Sequence, residues 1–235
     1  MKAIGFFRRG VPSALLFICS ALLYVGYLGG VIHENVAAAA PAPLPDAVSL
    51  ERFVIIPTES QVAYHVGEIF FKTHLFHVAT GITRTIQGDL LIDRVNPRRS
   101  QIGPITVNIS QFASDDVGRD VAIRALWLTL WLMSSRYPIA TFTPTAIEGL
   151  PDTYVQGRAV AVRITGNLRI RQVTRPTTFG ASLKLDGEKL TGIATTKILM
   201  TDFGFDPPSI LGFLTTGNQV SLEFHFTAKP LSLPQ

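Results

Sequence analysis

From Val160 to Arg171 the chain alternates between two kinds of residue. Val160, Val162, Ile164, Leu168 and Ile170 fall on one parity, and Arg163, Thr165, Asn167, Arg169 and Arg171 on the other. A period of two marks a strand with one dry and one wet face. Gly166 sits on the apolar parity, where it permits a bend or bulge. Phe179, Ala181, Leu183 and Leu185 then alternate with Ser182, Lys184 and Asp186, and Asp186-Gly187-Glu188 reads as a hairpin turn. Near the C-terminus Val220, Leu222, Phe224 and Phe226 alternate with Ser221, Glu223, His225 and Thr227. Earlier strands are expected near 52–57, 60–66, 69–78, 82–93, 101–110 and 139–147.

Many long strands joined by short turns predict an all-β fold built on one antiparallel sheet. A sheet with one dry face must curl on itself or pair with another. Closure into a single barrel of about eight strands buries that face and removes the edges. One stretch departs from this. From Asp116 to Ser134 the alternation stops, Asp115 or Asp116 is placed to cap a helix, and Leu126, Leu130 and Met133 share a helical face. One helical excursion is therefore expected, with Trp127 and Trp131 one turn apart.

The N-terminus follows a different rule. Val11 to Ile32 contains no charged residue, and as a helix it would be about 33 Å long, close to the hydrocarbon core of a bilayer. Lys2, Arg8 and Arg9 precede it, which predicts a cytoplasmic N-terminus and an extracytoplasmic remainder. Two readings compete: an uncleaved transmembrane anchor, or a long signal peptide cut near Ala38-Ala39-Ala40. The first fits the length of the run better, and under the second the domain is secreted or periplasmic. Residues 37–50 open with Pro/Ala alternation, a semi-extended spacer. The expected organisation is stub and anchor over 1–36, spacer over 37–50 and barrel over 51–230.

Composition changes this picture only in what it excludes. The net charge of +4 falls to +2 once Lys2, Arg8, Arg9 and Glu34 are set aside, and no basic patch of the kind nucleic acid requires is present. Cys19, the single cysteine, lies in the apolar run and cannot staple the domain. Asp115, Asp116 and Asp120 are better explained as a helix cap and an Arg119–Asp120 ion pair than as catalytic carboxylates. Asp202 and Asp206 are expected to organise a turn before Pro207-Pro208. His33, His65, His74, His77 and His225 carry no zinc motif, and His225 is expected to face outward beside Glu223. No metal, no cofactor and no enzymatic activity are expected.

The resemblance rests on a series of short motifs in order. Ser60-Gln61-Val62 leads the first strands, and Gly81-Ile82-Thr83 precedes Ile86-Gln87-Gly88. Ser114-Asp115-Asp116 with Arg119-Asp120 follows, then Arg136-Tyr137-Pro138-Ile139-Ala140-Thr141-Phe142. Gly166-Asn167-Leu168, Val173-Thr174-Arg175-Pro176, Thr195-Thr196 and Asp202-Phe203-Gly204-Phe205 complete it. From about Phe53 to Ala228 the chain resembles the YceI-like family of lipid- and polyisoprenoid-binding proteins. That resemblance implies an exported, lipocalin-like barrel whose apolar tunnel holds an isoprenoid, quinone-like or fatty amphiphile. The stretch Leu126–Met133 departs from the family by about one extra apolar helical turn.

Val62, Tyr64, Val107, Ile109, Phe142, Val162, Ile164, Leu168, Phe179 and Phe224 are expected to face inward. Taken alone these residues favour a solid core, whereas the resemblance implies that some of them line a ligand tunnel. Tyr64 is a candidate to meet a polar head at the tunnel mouth. Trp127 and Trp131 admit three readings: a plug at the barrel end, a ligand entrance, or contact with the bilayer interface. Burying a 20-carbon tail supplies up to ~16 kcal/mol before ordering costs, and needs almost no polar chemistry. The partners expected are thus a hydrophobic ligand and the membrane, with no protein partner indicated. Two other classes remain open: a filled-barrel interaction module of a membrane complex, and a hydrolase or isomerase built on Asp120 and a histidine.

Overall fold

The computed structural model describes residues 50–114, 132–210 and 213–231, all within the unit Asp46–Gln235. Fourteen strands form one antiparallel sheet. In chain order they are β1 (Leu50–Ile55), β2 (Gln61–Phe70), β3 (Leu75–Thr83), β4 (Ile86–Gln87), β5 (Asp89–Asp93), β6 (Gln101–Ile102) and β7 (Ile105–Asn108). The rest are β8 (Ala113–Ser114), β9 (Ile139–Glu148), β10 (Ala159–Ile170), β11 (Val173–Asp186), β12 (Lys189–Leu199), β13 (Ser209–Ile210) and β14 (Leu214–Pro230). The ladder runs β4-β7-β9-β10-β11-β12-β14-β1-β5-β6. Strand β14 also pairs with β13 and β2, β2 with β3, and β3 with β8.

The expected barrel of about eight strands is corrected in number and in closure. The sheet curls into a lipocalin-like half-barrel, and its ladder ends on the two-residue strands β4 and β6 instead of closing strand to strand. Among the described residues there is no α-helix. The anchor and signal-peptide readings of 11–32, most of the spacer, Cys19, the caps at Asp115 and Asp116, and Asp120 lie outside the described residues. Among those described, no helix is long and apolar enough to cross a membrane.

Several boundaries move for identifiable reasons. The expected strand 69–78 is broken by a turn after Phe70, where His74 adopts a positive φ of 52°. The turn Phe71-Lys72-Thr73-His74 has no glycine, proline, asparagine or aspartate to mark it and is flanked by apolar Phe70 and Leu75. The run 82–93 divides into β3, β4 and β5. The run 101–110 divides at Gly103-Pro104, since proline lacks the N–H a ladder needs, and ends in a 3-10 turn where Asn108 Oδ1 accepts from Ser110 N at 3.0 Å. Gly166 does sit at an irregularity: the β10–β9 register shifts between Thr165 and Gly166. The Asp186–Lys189 turn and the 3-10 turn Met200–Phe203, closed by left-handed Gly204, are where the sequence puts turns.

The interior has three apolar clusters. One gathers Tyr64, Val66, Ile109, Leu132, Leu168 and Met200 toward the β2–β3 turn. A second, around Phe53, Ile86, Leu185, Leu190 and Phe226, fills the end beneath the β11–β12 turn. The third packs Val162, Ile164, Ala181 and Ala194 into the side wall. Phe53 and Met200 have no exposed surface.

Candidate functional site

Between the clusters runs an apolar cavity of about 150 Å³, the volume of about five liquid waters. It extends from Ile55 and Phe226 at one end to Phe112, Ile170 and Phe205 at the other. Among the described residues, Thr141 and Glu223 are the only lining residues, besides Tyr64, with a polar side chain. The Glu223 carboxylate is hydrogen-bonded to the His225 ring, as the outward reading of His225 expects.

Nine of the ten residues expected to face inward border this cavity. Strand β2 supplies Val62 and Tyr64, β7 Val107, β9 Phe142, β10 Ile164 and Leu168, β11 Phe179 and β14 Phe224, with Ile109 from the adjoining 3-10 turn. Period-two alternation brings them together because a single curled face gathers one parity of every strand. Val162 is the exception. It is buried in one cluster with Ile164, Ala181 and Ala194, and does not itself border the cavity. Trp127 and Trp131 lie outside the described residues.

Tyr64 is corrected in position. Its ring is 5% exposed, packs edge-on against Phe112 at 5.0 Å, and lies over Gly81 in the wall, not at an open rim. A Cβ at Gly81 would stand 2.2 Å from Tyr64 Cε1. The same device recurs at Gly192, where a Cβ would stand 2.4 Å from Phe226 Cε1. Missing side chains on paired strands let these rings lie flat against the sheet, covering the glycine while leaving the bore open. Phe142 and Phe179 meet at 4.9 Å, and Phe224 stacks on Phe226 at 5.0 Å, so aromatic faces form much of the wall.

A smaller cavity of about 60 Å³ lies beside the first. Leu90, Ile102 and Leu183 line both and so form the partition between them. Tyr154 borders the second space, where its hydroxyl donates to the Leu185 carbonyl at 2.9 Å and accepts from the Leu185 amide. Burial pushes the Tyr154 phenol above its ordinary pKa.

The sequence reading missed Ile55, Ile86, Ile105, Phe205 and Phe226 as lining residues. Phe226 was signalled by the same alternation as Phe224. Ile86 and Ile105 sit on strands too short to show a period. Among the described residues no group of three or more His, Cys, Asp or Glu is placed to hold a metal. His65 shares a hydrogen bond with Thr80 at 2.9 Å, while His77 lies 6.4 Å from the Phe70 ring.

A single curled antiparallel sheet around an apolar bore is the architecture of a small lipocalin-like binding domain. The YceI-like domain family matches residues 53–228, and the chain belongs to that family. Protein YceI of Salmonella arizonae is 29% identical over 129 residues, covering 52% of this chain and 61% of that protein. The chain spans about three-fifths of the length of the curated relatives it matches. Among solved structures, a polyisoprenoid binding domain from Saccharophagus degradans superposes with a TM-score of 0.56 at 12% identity, covering 77% of this chain and 99% of that one. Burkholderia cenocepacia BcnA gives 0.53 at 17% identity, covering 74% and 99%. At these identities the superpositions establish the fold.

Proposed function

We propose that this protein is a non-catalytic binding protein that holds the hydrocarbon tail of a polyisoprenoid, quinone-like or fatty amphiphile in the β-barrel tunnel. The observation that carries the reading is the lining: aliphatic and aromatic side chains converge on one bore, with Glu223 engaged by His225 on the outer face. Such a space stays dry and rewards an apolar guest. Family membership and the polyisoprenoid binding domain among its structural relatives support the same ligand class. A cavity of this size takes a guest about as large as benzene, so about six tail carbons fit without rearrangement, worth up to ~5 kcal/mol before association costs. A longer tail would have to pass the partition of Leu90, Ile102 and Leu183.

Val62, Tyr64, Val107, Ile109, Phe142, Ile164, Leu168, Phe179 and Phe224 would contact that tail. The apolar run 11–32 would anchor the domain on the extracytoplasmic side, beside its lipid source. The test is native mass spectrometry of Asp46–Gln235 followed by organic extraction. A discrete added mass that extracts as one prenyl or acyl compound is the expected result. A bare protein that takes up no added lipid would overturn the reading in favour of a filled-barrel interaction module.

A further inference from the structure

The outer face of the sheet is polar along β10, where Arg163, Thr165, Asn167 and Arg169 alternate with the buried positions. The β2–β3 hairpin breaks that rule. Ile69 on β2 is paired directly with Phe76 on β3, and Val78 is paired with Gly67, which puts Ile69, Phe76 and Val78 on one face. They are 45%, 69% and 45% exposed. Phe76 lies across Gly67, where a Cβ would stand 2.8 Å from its ring. Phe71, Leu75 and Phe213 continue the exposed apolar surface around the tip, with the Phe71 amide donating to the Phe213 carbonyl at 2.9 Å. Lys72 stands exposed in the turn.

We infer that this hairpin tip is a membrane-contact surface, seated at the boundary between lipid headgroups and acyl chains. Three observations favour a bilayer over other occupants. The composition is aromatic and branched aliphatic with a lysine at the apex, which lets apolar rings enter while the ammonium reaches a phosphate. The surface is continuous with the binding strand: β2 carries Val62 and Tyr64 into the tunnel and Ile69 to the tip. The apolar run 11–32 is separated from β1 by seventeen residues, which reach about 60 Å at full extension. On the anchor reading proposed above, on which this last argument rests, the domain never leaves the vicinity of a bilayer. A water-insoluble tail would then leave the bilayer close to the strand that lines the cavity.

The test uses the full chain with Cys19→Ser, reconstituted in vesicles of phosphatidylcholine and phosphatidylglycerol. Thr73→Cys carries an environment-sensitive fluorophore, and Glu188→Cys, in the turn at the opposite end of β14, carries it as the control. The expected result is blue-shifted emission at position 73 and quenching by doxyl lipids several-fold stronger than at 188. Adding Ile69→Ser with Phe76→Ser, both exposed positions, should abolish that quenching while leaving flotation unchanged. Equal, water-like emission at both positions in a chain that floats overturns the inference and leaves the anchor standing. A blue shift that grows with protein density but is indifferent to doxyl lipids also overturns it, and assigns the face to a second copy. A chain that does not float with the vesicles overturns both the anchor and the inference.

Discussion

The two ends of β14 lie in opposite environments. Around its C-terminal end the surface is laced with ion pairs: Arg52–Asp89 at 2.9 Å, Arg94–Glu51 at 2.7 Å, Lys189–Glu59 at 3.0 Å, and Lys229 on the same Glu59 carboxylate. Beneath them Phe53 and Ala228 are wholly buried. At its N-terminal end the β2–β3 hairpin exposes Ile69, Phe71, Leu75, Phe76 and Val78 to solvent. Surface pairs of this sort contribute little stability each, but they keep that end well hydrated. The contrast teaches that the sheet has a direction: one end is bridged by ion pairs, and the other gathers exposed apolar side chains on one hairpin.

The comparison breaks most decisively at Phe53. Phe53→Ala should cost about 3–5 kcal/mol, read as a lower urea midpoint, because this ring is the centre of the ion-paired end. A loss below about 1 kcal/mol would mean that the core lies elsewhere. Ile102→Ala should cost about 2 kcal/mol and join the two cavities, moving the preferred guest toward longer chains in a competition between prenyl alcohols of different length. An unchanged preference would show that the partition does not limit the tail. Gly81→Val should force Tyr64 off the wall into the bore, costing about 1–3 kcal/mol and most of the uptake of a fluorescent lipid analogue. The smallest effect belongs to Glu59. Lys229 first, then Lys189, hold its carboxyl below the ordinary 4.5, so its contribution is present above the unfolded carboxylate range and is lost as pH falls through the folded pKa. Glu59→Gln should therefore lower the melting temperature slightly at pH 7 and match the parent protein in acid.

Much of the cavity lining was legible in the sequence because alternation is a local signal. A residue on the apolar parity of a long strand faces the inside of any curled sheet, whatever its neighbours. Val62, Ile164 and Phe224 could be placed that way without knowing which strands pair. Val162 shows the limit: parity says inward, but only the packing of Ala181 and Ala194 decides between wall and bore. Two further features were hidden for other physical reasons. The glycines under Tyr64 and Phe226 act across strands, so their meaning depends on register, which periodicity does not encode. The β2–β3 turn, Phe71-Lys72-Thr73-His74, contains none of the glycine, proline, asparagine or aspartate by which local rules recognise a turn.

The length and position of β14 bear on how the chain acquires its structure. This strand follows the other thirteen in sequence, yet it pairs with β1, β2 and β12, strands whose residues lie between 50 and 199. Until β14 has been made, the earliest strands have no central neighbour to dock on. Contacts of such long sequence separation form late and slowly. A nascent chain of this design has no complete sheet to fold into until β14 has left the ribosome.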